Sequence, residues 1–219
     1  MTRHTMAWPS LALALALVCV SASAQSDRGL VPGALLSRLA EAQSSAKLSE
    51  ALQKTGRKVA AVCANCHGEG GNSIRPDVPN LAGQNTAYLI EQMRQFGDGL
   101  RRNEFMQGMI RAMATDEKVG LALFYARQPV APRPAGNAAL VAQGEALFQK
   151  ICFRCHGSDG LGNEKIARIA GQQSAYLATT LRRYRGGSGE RVNEQMAENT
   201  RLLSDANLDA IVAYVAAMK

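Results

Sequence analysis

The chain has 219 residues and carries 25 Lys and Arg against 18 Asp and Glu, which gives a formal net charge of +7 at pH 7. The basic residues are spread along the chain and aromatic residues make up only 5% of it, so nucleic-acid binding is disfavoured. A chain of this length suits one large domain or two small ones.

Residues 1–24 are predicted to be a secretory signal peptide. Arg3 and His4 form a short polar start, and an apolar run too short to span a bilayer follows it. Ala22-Ser23-Ala24 then resembles a signal-peptidase cleavage site. The alternative is an uncleaved N-terminal anchor. Export predicts a periplasmic protein.

Residues 25–55 are predicted to form a helical N-terminal extension. Five apolar side chains could line one face of a single amphipathic helix: Leu35, Leu36, Leu39, Ala42 and Ala46. Two interpretations stay open for it, an extra helix that lies on the first domain and a docking element for a partner.

After residue 24, every Cys and His falls in one of two C-x-x-C-H motifs. They are Cys63, Cys66 and His67 in one half of the chain, and Cys152, Cys155 and His156 in the other. The sequence around them is one unit written twice, at offsets of 88 to 90 residues. Each half continues with a Leu/Ile-Ala-Gly-Gln segment that leads to Tyr-Leu, and then with an Arg-x-Asn-Glu-x-Met segment.

Between the two halves, three prolines within residues 129–134 cannot continue a helix. The repeat therefore predicts domain 1 at residues 56–127, a Pro-rich linker at residues 128–137 and domain 2 at residues 138–219.

Both halves are predicted to be helical, and no segment is a convincing strand. Helices are expected at residues 59–63, 86–96, 144–152 and 174–184, with a last helix that ends near Met218. Thr86 and Ser174 are predicted to be N-caps, and Ser204 or Asp205 is predicted to cap the last helix.

C-x-x-C-H is the attachment pattern of c-type haem. The two thiols add to the porphyrin as thioethers, and the adjacent His becomes the proximal ligand of the iron. The two motifs therefore predict two covalently attached haem c groups. The alternatives are an all-cysteine zinc site, a thiol redox motif and a pair of structural disulfides. The first two leave both His unexplained, and C-x-x-C loops are too short to staple much structure.

A Met is predicted as the sixth iron ligand in each half. The second half contains only Met196 and Met218, and Met218 lies next to the chain end. Met106 aligns with Met196, and the two follow their motif His by 39 and 40 residues. The other methionines of the first half are interpreted as core fillers: Met93, Met109 and Met113. A thioether ligand raises the reduction potential and fills the coordination sphere, which favours an electron carrier over a catalyst.

Six polar residues recur at matching positions of the two halves: Gln84 and Gln172, Tyr88 and Tyr176, and Arg101 and Arg191. Two interpretations stay open for them. They could bind haem propionates or the ligand loops, or they could cap helices.

Taken together, these motifs resemble the cytochrome c4 family of dihaem class I cytochromes c, over residues 56–219. The resemblance implies an all-α fold of two tandem cytochrome c domains, each wrapped around one covalently bound haem c. It implies His67 and Met106 on the first iron, and His156 and Met196 on the second. It also implies a periplasmic carrier between a quinol-oxidising cytochrome complex and a terminal oxidase or other acceptor. Peripheral contact with the membrane is compatible with this role.

The chain departs from the family pattern in two places. The extension before the first motif is long, and domain 1 has no aromatic residue ahead of Cys63 where domain 2 has Phe148. No catalytic residue is predicted. The alternative functions are a cytochrome subunit of a larger dehydrogenase, a dihaem peroxidase-like enzyme and a small-gas sensor.

Overall fold

The computed structural model describes residues 1–2, 33–134, 136–191 and 193–219. Regular structure within these ranges is helical, apart from one antiparallel bridge between Arg101 and Arg191. The predicted all-α class is confirmed. Residues 3–24 of the predicted signal peptide lie outside the described ranges. None of the described helices combines the length and the apolar character needed to cross a membrane.

Each half of the chain contributes a set of helices. The first half contains α1 (Ala34–Ser44), α2 (Ala46–His67), a 3-10 turn (Glu69–Gly71), α3 (Thr86–Asp98), α4 (Glu104–Ala112) and α5 (Thr115–Ala126). The second half contains α6 (Ala138–Lys150), α7 (Phe153–His156), α8 (Ser174–Gly186), α9 (Glu194–Thr200) and α10 (Asp205–Ala217). A helix leads into each Cys motif, as predicted, but α2 begins at Ala46 and so runs through the predicted boundary between residues 55 and 56.

In each domain the helix that leads into the Cys motif crosses the last helix in close contact, α2 with α5 and α6 with α10. A Cβ atom on Gly56 would lie 2.0 Å from the carbonyl oxygen of Gly120, and one on Gly144 would lie 1.9 Å from that of Ala210. The backbones therefore touch at both crossings, and a side chain at Gly56 or Gly144 would force the helices apart.

Residues 25–32 of the predicted extension lie outside the described ranges, and residues 46–55 belong to α2. Between them, α1 lies on the first domain against α2, α3 and α5. Its inward face buries three side chains: Leu35, Leu39 and Ala42. Arg38 adds an ion pair with Asp116 of α5, with 2.7 Å between Nε and Oδ1. The predicted face was wrong in two members. Leu36 is 52% exposed, and Ala46 belongs to α2 because Ser45 interrupts the helix and caps the next one.

The predicted N-caps at Thr86 and Ser174 were wrong, because each is the first residue inside its helix. The cap positions are Asn85 and Gln173, and neither side chain binds its own helix end. Both side chains bind the opposite domain instead. Asn85 donates to the carbonyl oxygens of Leu161 and Ile166, and Gln173 donates to that of Ser73. The predicted cap at Ser204 is confirmed.

The segment between α5 and α6 packs along the contact between the two domains. Asn72 holds it, because its side chain donates to the carbonyl oxygen of Pro129 at 2.9 Å and accepts from the N–H of Ala131 at 2.8 Å. Val130 lies between two matching loop glycines of the two domains, Gly83 and Gly171.

Candidate functional site

Each C-x-x-C-H motif forms the last helical turn before a glycine with positive φ. The first motif ends α2, and the second comprises Cys152 and the single turn α7. The four thiols are free and half-buried: Cys63, Cys66, Cys152 and Cys155. Cysteines three residues apart in a helix share one face. The turn can therefore present both thiols to one edge of a flat group.

Both motif histidines are buried and held in one orientation by a backbone carbonyl. His67 Nδ1 lies 2.9 Å from the carbonyl oxygen of Pro79, and His156 Nδ1 lies 2.9 Å from that of Ala167. A carbonyl only accepts, so Nδ1 carries the proton in both rings. Burial lowers the pKa of both imidazoles, which disfavours their charged form. The Nε2 lone pair of each ring is then the one that could bind a metal.

The alternatives to haem find little support in this geometry. Burial raises the pKa of the Cys63 thiol and raises that of Cys152 to about 11, whereas a thiol redox motif needs a stabilised thiolate. The four motif cysteines form no disulfide. Within the described ranges no three Cys, His, Asp or Glu side chains gather as a zinc site would require.

The two predicted thioether ligands occupy the same position in two matching helices. Met106 is the third residue of α4 and Met196 the third residue of α9, and both are half-buried. The Asn of each Arg-x-Asn-Glu-x-Met segment is the N-cap, and its Oδ1 accepts from the Met N–H, at 3.0 Å from Asn103 and 2.9 Å from Asn193. The repeated pattern thus encodes a capped helix start that fixes the Met backbone.

Two of the other three methionines of the first half take part in its core, in line with their interpretation as fillers, whereas Met109 is half-buried and its filler role stays a prediction. Met93 is 7% exposed on α3, and Met113 packs against the same apolar cluster. Met106 and Cys63 also border this cluster, so the first motif and its predicted sixth ligand adjoin one core.

Two arginines meet at the contact between the domains, and their hydrogen-bonding partners among the described residues are neutral. Arg101 donates to Gln92 and to Tyr176, and Arg191 donates to Tyr88 and to Tyr176. No carboxylate pairs with either guanidinium among the described residues. Burial alone would raise the pKa of Tyr176, but the two guanidiniums lower it to about 8. Such a site suits a group that brings its own carboxylates, as the propionates of haem do.

The matching glutamines bind the opposite domain as well as a helix start of their own, because each Oε1 accepts from the N–H of the following cap residue, Asn85 or Gln173. Gln84 accepts from the N–H of Arg168 and donates to its carbonyl oxygen, both at 2.8 Å. Gln172 does the same with Asn80, at 2.7 and 3.0 Å. Each glutamine therefore binds the backbone of the opposite domain. Sequence reasoning missed this role, although the recurrence of Ala-Gly-Gln in both halves was its signal.

Two family models match the chain, one in each half. The model described as cytochrome c matches residues 53–119. The model described as cytochrome c oxidase, cbb3-type, subunit III, matches residues 139–215. Two cytochrome c domains imply two haem c groups, one bound through Cys63 and Cys66 and one through Cys152 and Cys155.

Whole proteins match over most of their length. Cytochrome c4 of Pseudomonas aeruginosa is 35% identical over 174 residues, which cover 73% of this chain and 85% of that protein. The thiosulfate dehydrogenase electron acceptor of Thiomonas intermedia is 33% identical over 174 residues, which cover 72% and 79%. The crystal structure of reduced recombinant cytochrome c4 from Pseudomonas stutzeri aligns with a TM-score of 0.70 at 30% identity, covering 76% of this chain and 98% of that one.

These likenesses extend across both domains and agree with the repeated motifs and with the buried, carbonyl-bound histidines. They identify the haems as covalently bound and the activity as electron transfer. The chain belongs to the cytochrome c4 family of dihaem electron-transfer proteins.

Proposed function

We propose that the protein is a periplasmic carrier that takes electrons from a quinol-oxidising cytochrome complex and delivers them to a terminal oxidase or another acceptor. The proposed iron ligands are His67 with Met106 in domain 1, and His156 with Met196 in domain 2. Haem c supplies one-electron oxidation and reduction of iron when it is bound. The chain would hold one His and one Met ligand at each iron, so that neither ligand position of either iron is left open.

The observation that carries the proposal is the equivalence of the two sites. In each half a buried imidazole donates from Nδ1 to a carbonyl oxygen, which orients Nε2. In each half a Met follows an Asn cap at the same helical position. Two sites of this kind would leave neither iron open to a small ligand, whereas a peroxidase or gas sensor needs one open or labile position.

The test is the visible spectrum of the reduced holoprotein before and after carbon monoxide. The wild-type protein is expected to keep an unchanged low-spin c-type spectrum. Met106→Ala should open one iron, and Met196→Ala the other, so each variant should bind carbon monoxide at about half of its haem.

Met109→Ala is the matched control for Met106→Ala, because Met109 lies on the same helix, α4. It should bind no carbon monoxide. Binding to the wild-type protein would overturn the carrier assignment and favour the enzyme or sensor. Binding to the Met109 variant alone would move the sixth ligand to that residue.

The periplasmic location rests on the predicted signal peptide. Osmotic shock of the native cells should release the protein with the periplasmic fraction, and its mature N-terminus should be Gln25. Retention with the membrane and an intact N-terminus would favour the uncleaved anchor.

A second candidate is the role of electron acceptor for a dehydrogenase, because a relative with 33% identity is a thiosulfate dehydrogenase electron acceptor. The check is co-purification from native membranes and periplasm followed by rapid-mixing reduction. A dehydrogenase that co-purifies and reduces the haems faster than a quinol-oxidising complex does would replace the respiratory donor proposed above.

A further inference from the structure

One peptide group connects each motif histidine to the opposite domain. The amide between residues 79 and 80 has two partners. Its carbonyl oxygen, on Pro79, accepts from His67 Nδ1 at 2.9 Å. Its N–H, on Asn80, donates to Oε1 of Gln172 at 2.7 Å. His67 belongs to domain 1 and Gln172 to domain 2, so a single amide joins an imidazole of one domain to a side chain of the other.

The second domain contains the mirror image of this arrangement. The amide between residues 167 and 168 accepts from His156 Nδ1 at its carbonyl oxygen, at 2.9 Å. Its N–H, on Arg168, donates to Oε1 of Gln84 at 2.8 Å. The two chains of hydrogen bonds run in opposite directions across the same interface.

Both glutamine side chains are fixed at each of their polar atoms. Gln84 and Gln172 are 6% and 7% exposed. Their Nε2 atoms donate across the interface, and each Oε1 also accepts from the N–H of the next residue along the chain, at 3.0 Å for Gln84 and 2.9 Å for Gln172. Neither amide can rotate away without leaving a buried polar group unpaired, which is costly.

Hydrogen bonds in a chain strengthen one another, because each polarises the group that makes the next. An acceptor on the N–H of an amide shifts electron density onto its carbonyl oxygen. That oxygen then draws the Nδ1 proton more strongly, and the imidazole becomes more basic at Nε2. A more basic ligand stabilises the more highly charged, ferric iron.

We infer that Gln172 and Gln84 are positioning residues that lower the reduction potential of the iron in the opposite domain, each through one peptide group and the imidazole bound to it. This rests on the proposed ligation by His67 and His156. Contact between the domains then sets both potentials, and loss of the contact raises them.

The test compares two substitutions at Gln172 in the holoprotein by redox titration, with each potential assigned to its haem by paramagnetic NMR. Gln172→Met keeps the length but removes the acceptor, so it should raise the potential of the iron bound by His67 and leave the other iron almost unchanged. The equilibrium constant for electron transfer between the two irons should change by a few-fold to about tenfold, which corresponds to the net free energy of one hydrogen bond.

Gln172→Glu is the matched control, since it also loses the Nε2 donor but keeps an oxygen acceptor. It should not raise that potential. Equal shifts in the Met and Glu variants, or equal shifts of both irons, would show that only interface packing matters and would overturn the inference. Gln84→Met provides the mirror test and should raise the potential of the iron bound by His156.

A measurement on the wild-type protein covers the case in which the variants do not fold. In the reduced protein, NMR couplings through the hydrogen bonds should connect the Asn80 N–H with Gln172 and the Arg168 N–H with Gln84; their absence would overturn the inference. A disturbed low-spin spectrum in the wild-type protein would instead refute the proposed ligation. Normal spectra with unmoved potentials would refute only the action of the glutamines.

Discussion

Gly56 and Gly120 bring α2 and α5 together through their backbones in domain 1. A Cβ atom at Gly56 would lie 2.0 Å from the carbonyl oxygen of Gly120, and one at Gly120 would lie 2.2 Å from that of Leu52. Main-chain atoms cannot move aside as a flexible side chain can, so these residues fix how deeply the two helices pack.

We expect Gly56→Ala to destabilise the protein by about 1–3 kcal/mol, because the added methyl group must push the helices apart. Thermal or denaturant unfolding of the holoprotein measures it. Gly108→Ala is the control, since a Cβ at Gly108, on the exposed side of α4, meets no atom of the described residues within 4 Å. That change should stabilise by up to about 1 kcal/mol. Equal stability of the Gly56 variant and the wild type would show that the crossing relaxes freely.

At the scale of single elements, α9 shows how much a short helix depends on its cap. It has seven residues, well below the length at which an isolated helix is stable in water. Asn193 binds the N–H of Met196 at its start, and Thr200 is buried at its end. The cap therefore contributes both to the helix and to the position of the Met.

Asn193→Ala should cost about 1 kcal/mol of stability and should also weaken the thioether coordination proposed for Met196. The second effect is visible as a loss of the red charge-transfer band of the ferric protein on mild warming. Asn137→Ala removes the cap of α6, which carries no Met, and serves as the control. It should cost similar stability and leave the band intact. Equal loss of the band in both variants would mean that the cap acts on the Met only through global stability.

At the scale of the whole molecule, the two domains contact each other partly through the segment that joins them. The two methyl groups of Val130 lie close to Gly83 and Gly171. A Cβ atom built on Gly83 would be 2.6 Å from one methyl group, and one built on Gly171 would be 3.3 Å from the other. Asn72 fixes the backbone on both sides of Val130. The linker therefore packs between the two domains as well as connecting them.

We expect Val130→Ala to cost about 1–2 kcal/mol through the gap it leaves, and to make the domains unfold more independently. Scanning calorimetry of the holoprotein should show a broader or split transition. Val62→Ala, at a position that is 58% exposed on α2, is the matched control and should keep a single transition. A single sharp transition in the Val130 variant would mean that the glutamine and arginine contacts suffice to couple the domains.

Much of the architecture could be predicted from the sequence, because the signals were local and repeated. The all-α class, the helices that lead into the Cys motifs and the cap at Ser204 are confirmed. The break at Ser45 was missed, since apolar spacing continues across it from Ala42 to Ala46. The caps of α3 and α8 were also missed, because the side chains of Asn85 and Gln173 bind the opposite domain and not their own helix ends.

The residues that fill each domain core also could not be predicted from apolar spacing along one helix, because they depend on which helices pack together. Domain 2 buries Phe148 of α6 ahead of its Cys motif, while the matching residue of domain 1 is Ala60. Domain 1 instead buries Tyr125 of α5 at the place where domain 2 has Val215. Each helix pair thus contains a fully buried aromatic ring, supplied by the opposite helix of the pair.

The sequence by itself determined the class of the protein. Two C-x-x-C-H motifs in one repeated unit predict covalent haem attachment, since this spacing suits two thioether bonds and one iron ligand to a single ring, and the relatives confirm it. Ligation by Met106 and Met196 stays a prediction. Only the tertiary structure decided that Gln84 and Gln172 bind across the interface and that Arg101 and Arg191 meet there with no carboxylate from the described residues. These contacts join residues that lie about 90 positions apart, and no local pattern specifies which surfaces of two similar domains will face each other.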